Sequence, residues 1–156
     1  MIFKNIKKII NPYNLRSKII NKSKIGRNRK GQRKFREKLI KKFDSKCALL
    51  GIDSKLCDAA HIFPYSECKN NKEKYDVNNG ILLSATLHKA YDRNYFLIDE
   101  NTCKIKILYD NLKKDNIDSI KDIGLEGFED HYIPELDNIK GKEFLKKRNS
   151  SLTDLE

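Results

Sequence analysis

The sequence predicts a small α+β fold, and three observations lead there. An amphipathic helix pattern begins near residue 32, a strand–loop–strand–helix succession fills residues 56–92, and a hairpin pattern follows at 95–108. Residues 1–31 are rich in Lys, Asn and Ile, with Asn11-Pro12, Gly26 and Gly31 as breakers, and read as a flexible basic arm. From Gln32 onward Phe35, Leu39, Ile40 and Phe43 fall on one helical face, with Lys and Arg on the other. Residues 47–52 read as a strand start and turn, and residues 56–63 as a strand ended by Pro64. The polar stretch 65–78 reads as a loop. Residues 80–83 form a short apolar strand pattern, and Ser84 is placed to N-cap a helix from Ala85 to about Asp92. Residues 95–98 and 104–108 alternate in polarity around the turn 99–102. Beyond a mixed, acidic stretch at 109–140, a closing helix is expected over 141–148 and a tail over 150–156. The folded domain is thus expected over 32–149, and no internal repeat is visible.

A chain of 156 residues suits one domain, since domains commonly run to about 100–150 residues. Charged residues make up 35% and the mean hydropathy is −0.71, so a soluble protein is expected. No apolar run approaches the roughly 18–20 residues of a membrane span. The opening MIFKNIKKII has lysines inside its apolar stretch and no small-residue cleavage site, so no secretory signal is expected. An intracellular location, cytoplasm or nucleus, follows. The 26 Lys, 19 Ile and 15 Asn suggest an AT-rich coding sequence, as in an AT-biased host, virus or phage. Four cysteines (Cys47, Cys57, Cys68, Cys103) include no CxxC pair, which argues against a disulfide framework and against a structural zinc.

The charge is unevenly spread. Residues 1–42 carry 16 Lys/Arg against one acid, Glu37, a net +15; the other 114 residues carry 17 bases and 21 acids, a net −4. Like charges so concentrated cannot pack on one another, and a polyanion is the natural partner, nucleic acid before a membrane surface.

Two of the three histidines fall in the strand–loop–strand–helix unit. His61 lies near the end of the first strand, Asn79 opens the second, and His88 lies on the helix with Asp92 one turn later. Residues at i and i+4 share a helix face, so His88 and Asp92 point together. An imidazole, an amide and a carboxylate can thereby surround one small cavity. His131 falls outside this unit and reads as a surface or packed side chain.

Five segments in this order carry a family resemblance: Gly31-Gln-Arg-Lys-Phe-Arg36, Cys47-Ala-Leu-Leu-Gly51, Asp58-Ala-Ala-His-Ile-Phe-Pro64, Asp76-Val-Asn-Asn-Gly-Ile-Leu-Leu-Ser84 and Leu87-His-Lys-Ala-Tyr-Asp92. Together they resemble the HNH endonucleases, nearest to the subgroup of restriction-type and modification-dependent nucleases, over roughly residues 27–108. Pro134 and Phe144-Leu145 match that subgroup's closing helix more loosely. The resemblance implies a ββα-metal core that hydrolyses DNA phosphodiester bonds. In it His61 would be the general base, Asn79 the brace that fixes the base, and His88 a ligand of a divalent ion, Mg²⁺ first and Mn²⁺ or another after it.

One position departs from the common pattern: many HNH nucleases place a second metal ligand just before the base, and here that residue is Ala60. Asp92 and Asp58 are the two candidates for the missing ligand. Asp58, three residues before His61, points to the opposite strand face and reaches the site only if the strand bulges. Asp76 is expected to position the loop near Asn79, and Cys47 to be a small buried side chain. Arg27, Arg29, Lys30, Arg33, Lys34 and Arg36 are the candidates for contacts with the DNA phosphate backbone. With no separate base-reading module, low sequence specificity is expected, and double-strand cleavage would require a homodimer or a second event. The competing readings are a non-catalytic nucleic-acid-binding protein on the same scaffold and an RNA nuclease.

Overall fold

The computed structural model describes residues 29–109, 118 and 120–153. The chain divides into two units, residues 1–33 and 34–156. The arm expected over 1–31 falls almost wholly outside the described residues, as does Arg27.

Helix α1 (29–42) has the expected face, with Phe35, Leu39 and Phe43 buried and Lys34, Lys38 and Lys41 exposed. Positive φ angles at Asp44 and Ser45 (48° and 61°) end the helix. The strand start expected at 47–52 shrinks to a single bridge, Lys46↔Asp53, because Gly51 (φ +64°) turns the chain back at once.

Strand β1 (Cys57–His61) pairs antiparallel with β2 (Gly80–Ser84), from Cys57↔Ser84 to His61↔Gly80. β1 is shorter than the apolar run 56–63. Leu56 belongs to a 3-10 turn, and the backbone of Phe63 is claimed by the Asn79 side chain rather than by a ladder. The expected loop 65–78 contains a one-turn helix, α2 (Asn71–Lys74), and a 3-10 turn at Val77–Asn79. Asn70 and Asp76 cap these turns through their side chains, a local stabilisation that leaves no hydrophobic period to read.

Helix α3 (Ala85–Asp92) begins where expected, with Ser84 Oγ accepting the Leu87 N–H at 3.3 Å. It packs on the β1–β2 ribbon through Leu87, Ala90 and Tyr91. Strands β3 (Phe96–Ile98) and β4 (Ile105–Ile107) form the hairpin and bury Phe96, Ile98, Ile105 and Ile107. The Asp99 carboxylate ties the turn by accepting the Asn101 and Thr102 N–H groups.

The closing helix α4 (Ile139–Thr153) is longer at both ends than the expected 141–148. Asn138 caps its start, and Ser150 and Ser151 continue it by bonding back to the carbonyls of Lys146 and Lys147. Phe144 and Leu145 face inward, joining the core built from α1, the β1–β2 ribbon, α3 and the hairpin.

Candidate active site

A cavity of about 230 Å³ opens where β1, the following loop, α3 and α4 meet, lined by Ala59, His61, Tyr65, His88, Asp92 and Arg148. Two other hollows are larger, about 380 and 610 Å³, but neither has a histidine in its lining.

His61 is held on three sides. Its ring stacks on Phe35 of α1 (centroids 4.5 Å, planes 13° apart) and meets the ring of Tyr65 edge-on at 5.4 Å. Its Nε2 lies 2.8 Å from the Lys74 carbonyl oxygen, which can only accept. Nε2 therefore carries the proton of the neutral ring, and the lone pair is on Nδ1. Burial lowers the pKa of His61 below its ordinary 6.5, aided by the charge of His88 and opposed by the Lys74 hydrogen bond and by Asp92.

The close approach of Phe35 depends on Gly80, the register partner of His61. A Cβ there would stand 2.5 Å from Phe35 Cζ and 2.7 Å from Leu39 Cδ1.

Asn79 is fully buried and braces the loop. Its Oδ1 accepts the Phe63 N–H at 2.7 Å, and its Nδ2 donates to the carbonyls of Phe63 (3.2 Å) and Glu73 (3.3 Å) and to Cys68 Sγ (3.4 Å). One amide thus clamps the chain just after His61 to the turn that carries Lys74, and so sets both ends of the His61 hydrogen bond. Asp76 holds the following 3-10 turn by accepting from the backbone and side chain of Asn78.

His88 stands between two carboxylates. Its Nδ1 is 3.2 Å from Asp58 Oδ2 and its Nε2 is 3.4 Å from Asp92 Oδ2. Asp58 gets there without a bulge, since the β1–β2 register is unbroken. Strand residue 58 pairs with Leu83, only five positions before His88, so the start of α3 brings the ring down to the carboxylate. Asp92 lines the cavity with His61; Asp58 does not.

A protonated imidazole donates from both nitrogens and satisfies both contacts; a neutral one donates from only one, and a cation beside the other nitrogen would then relieve its contact with the carboxylate. An imidazole nitrogen beside a carboxylate oxygen is a donor pair that a divalent ion can accept. Among the described residues no group of three or more His, Cys, Asp or Glu side chains is gathered to hold a metal. The remaining positions would fall to water and phosphate oxygens, as Mg²⁺ commonly accepts.

The other candidates are dispersed. Arg29, Lys30, Arg33 and Lys34 are exposed on α1. Arg36 instead turns to the 3-10 turn before β1, donating to the carbonyls of Cys57 (2.6 Å) and Ser54 (2.8 Å). Cys47 is buried, and its Sγ accepts from the N–H groups of Ser84 and Leu50. All four cysteines are free. His131 is exposed and meets Phe128 edge-on.

Sequence reasoning missed Arg148, and it missed the supports of His61. Arg148 had a readable signal. It lies four residues after Phe144 and three after Leu145, on the apolar side of a helix, in a chain with 26 lysines among its 33 basic residues.

Residues 47–99 match the family model for HNH endonuclease, a stretch that contains His61, Asn79, His88 and both aspartates. The ββα core of that family is what β1, β2 and α3 form, and the match points to nuclease activity in general. No curated protein matches the chain. Among the described residues no helix is long and apolar enough to cross a membrane.

Proposed function

We propose that the protein is a metal-dependent endonuclease that hydrolyses DNA phosphodiester bonds. The observation that carries the reading is the 2.8 Å contact of His61 Nε2 with the Lys74 carbonyl oxygen, which assigns the proton to Nε2 and the lone pair to Nδ1 in a residue that lines a cavity with His88 and Asp92. Its lowered pKa keeps the ring neutral at physiological pH, the form a base requires. Nδ1 takes a proton from water, the hydroxide oxygen bonds to phosphorus, and the P–O3′ bond breaks with its electron pair going to oxygen. The 3′ oxygen takes a proton from water and the His61 proton passes to solvent, so the products carry 5′-phosphate and 3′-hydroxyl ends.

A divalent ion held by His88 and Asp92 would neutralise the phosphate and stabilise the departing 3′ oxygen. Asp58, on the far side of His88, would accept the Nδ1–H and so present Nε2 with its lone pair free, the common arrangement behind a ligating histidine. Lys34 with the basic residues Arg27, Arg29, Lys30 and Arg33 would contact flanking phosphates; Arg36, already bonded to two carbonyls, would serve the fold more than the DNA.

A second reading, DNA binding without cleavage, is favoured by one observation: Ala60 offers no ligand beside the base. Supercoiled plasmid incubated with wild type and His61→Ala, in EDTA and in Mg²⁺, Mn²⁺, Ni²⁺ or Zn²⁺, separates the two. Metal-dependent nicking that His61→Ala loses is the expected result. Intact plasmid in every metal, with binding retained, would overturn the nuclease reading in favour of the second.

A further inference from the structure

Arg148 is 6% exposed, yet it borders the cavity of His61 and His88. Its guanidinium donates to the carbonyls of Ile62 (3.2 Å) and Tyr91 (2.6 Å) and to Asn94 Oδ1 (3.0 Å), and its carbon lies 3.8 Å from the centre of the Tyr91 ring. Every one of these partners is neutral. None of the ion pairs among the described residues involves Arg148, and its Nε is buried without a hydrogen-bond partner.

Buried cations are ordinarily paired, because leaving water is costly for a charge with no counterion. Here the carbonyls satisfy three of the five guanidinium N–H groups and none of the charge. Arg148 lines the cavity whose other walls carry His61 and the His88–Asp92 pair. The one carboxylate in the lining, Asp92, lies against His88 and forms no ion pair with Arg148, and a tetrahedral phosphate oxyanion matches guanidinium in charge and hydrogen-bonding geometry.

We infer that Arg148 is the anion-binding residue of this cavity and holds the scissile phosphodiester through its non-bridging oxygens. The inference rests on the nuclease reading for the word scissile, but not for the anion site. A fixed cation in a poorly hydrated wall acts most strongly where charge accumulates, on the phosphoryl oxygens as the hydroxide adds. The lattice of carbonyls sets where that charge stands. Arg148 therefore differs from the surface lysines, whose contacts are mobile and screened by salt.

The test uses inorganic phosphate in metal-free buffer, read by the ¹⁵N-detected Nε–H resonances of the wild-type arginines, with Arg148→Lys to assign the signal. Phosphate is expected to shift the Arg148 resonance saturably, in His61→Ala as well. An unmoved Arg148 signal while other arginines shift would overturn the inference.

Arg148→Gln, checked for a cooperative melt, is then expected to bind phosphate at least tenfold more weakly and to nick plasmid about 10²–10³-fold more slowly, the loss typical of one preorganised charge-stabilising donor. Its Mn²⁺ affinity should be unchanged. A folded Arg148→Gln with wild-type phosphate affinity would sink the assignment and leave Arg148 as a clamp of α4. If wild type cuts nothing but binds phosphate through Arg148, the anion site stands and the nuclease reading falls.

Discussion

The two histidines face one cavity from walls of opposite character. The His61 wall is aromatic and dry: Phe35 covers one face, Tyr65 an edge, and a single backbone carbonyl takes the Nε2 proton. The His88 wall is ionic and wet, with half-exposed carboxylates on both ring nitrogens. One residue type is thereby given two chemistries. Burial disfavours the charged form of the His61 ring, while the His88 ring lies between two carboxylates.

The comparison breaks most sharply with one alanine on each wall. His61→Ala is expected to lower cleavage by about 10²–10⁴-fold, the usual worth of a positioned general base, while Mn²⁺ binding followed by calorimetry is retained. His88→Ala should lose the metal and cleavage together. Equal loss of Mn²⁺ affinity in both variants would show that the walls do not divide the work.

Next comes the brace. Asn79→Ala orphans the Phe63 N–H and two carbonyls in the interior and should cost about 2–4 kcal/mol in urea unfolding. The aromatic wall can be moved from behind with Gly80→Ala, whose new methyl collides with Phe35 and Leu39. A cost of about 1–3 kcal/mol is expected, as for other overpacked cores, with a larger fractional loss of cleavage than of metal binding. If activity survives in proportion to folded protein, the Phe35–His61 stack is structural only.

The smallest effect is a pH dependence. Because the folded pKa of His61 is lowered, the unfolded chain takes up this proton first as pH falls below about 6.5. Stability contributed by the neutral ring is complete above that pH and declines until the folded pKa is passed. The acid limb of the cleavage profile should have its midpoint below 6.5; a midpoint above it would contradict the burial of the ring.

Much of this was legible because it is periodic or capped. The stripe Phe35–Leu39–Phe43, the Ser84 cap and the alternating hairpin each announce themselves over a few residues. The i,i+4 spacing of His88 and Asp92 likewise put both on one face. The rest depends on tertiary placement. The Asp58–His88 contact joins residues 30 apart through the angle at which α3 leaves β2, and no strand rule encodes that angle. The Lys74 carbonyl that selects the His61 tautomer belongs to a backbone, so no side chain advertises it. The α2 turn was hidden because one capped turn has no period.

Gly80 has a consequence for how the chain finds its pairing. Strands β1 and β2 could slide past one another by a residue, and β2 is apolar enough on either side to offer little resistance by solubility alone. A slip, however, would set Ile81 or Asn79 opposite His61, where a Cβ crowds the ends of the Phe35 and Leu39 side chains. The glycine thus favours one alignment of the ribbon. The alignment it favours is the one that sets His61 opposite Gly80 with its ring against Phe35, so a slipped ribbon is disfavoured by the core.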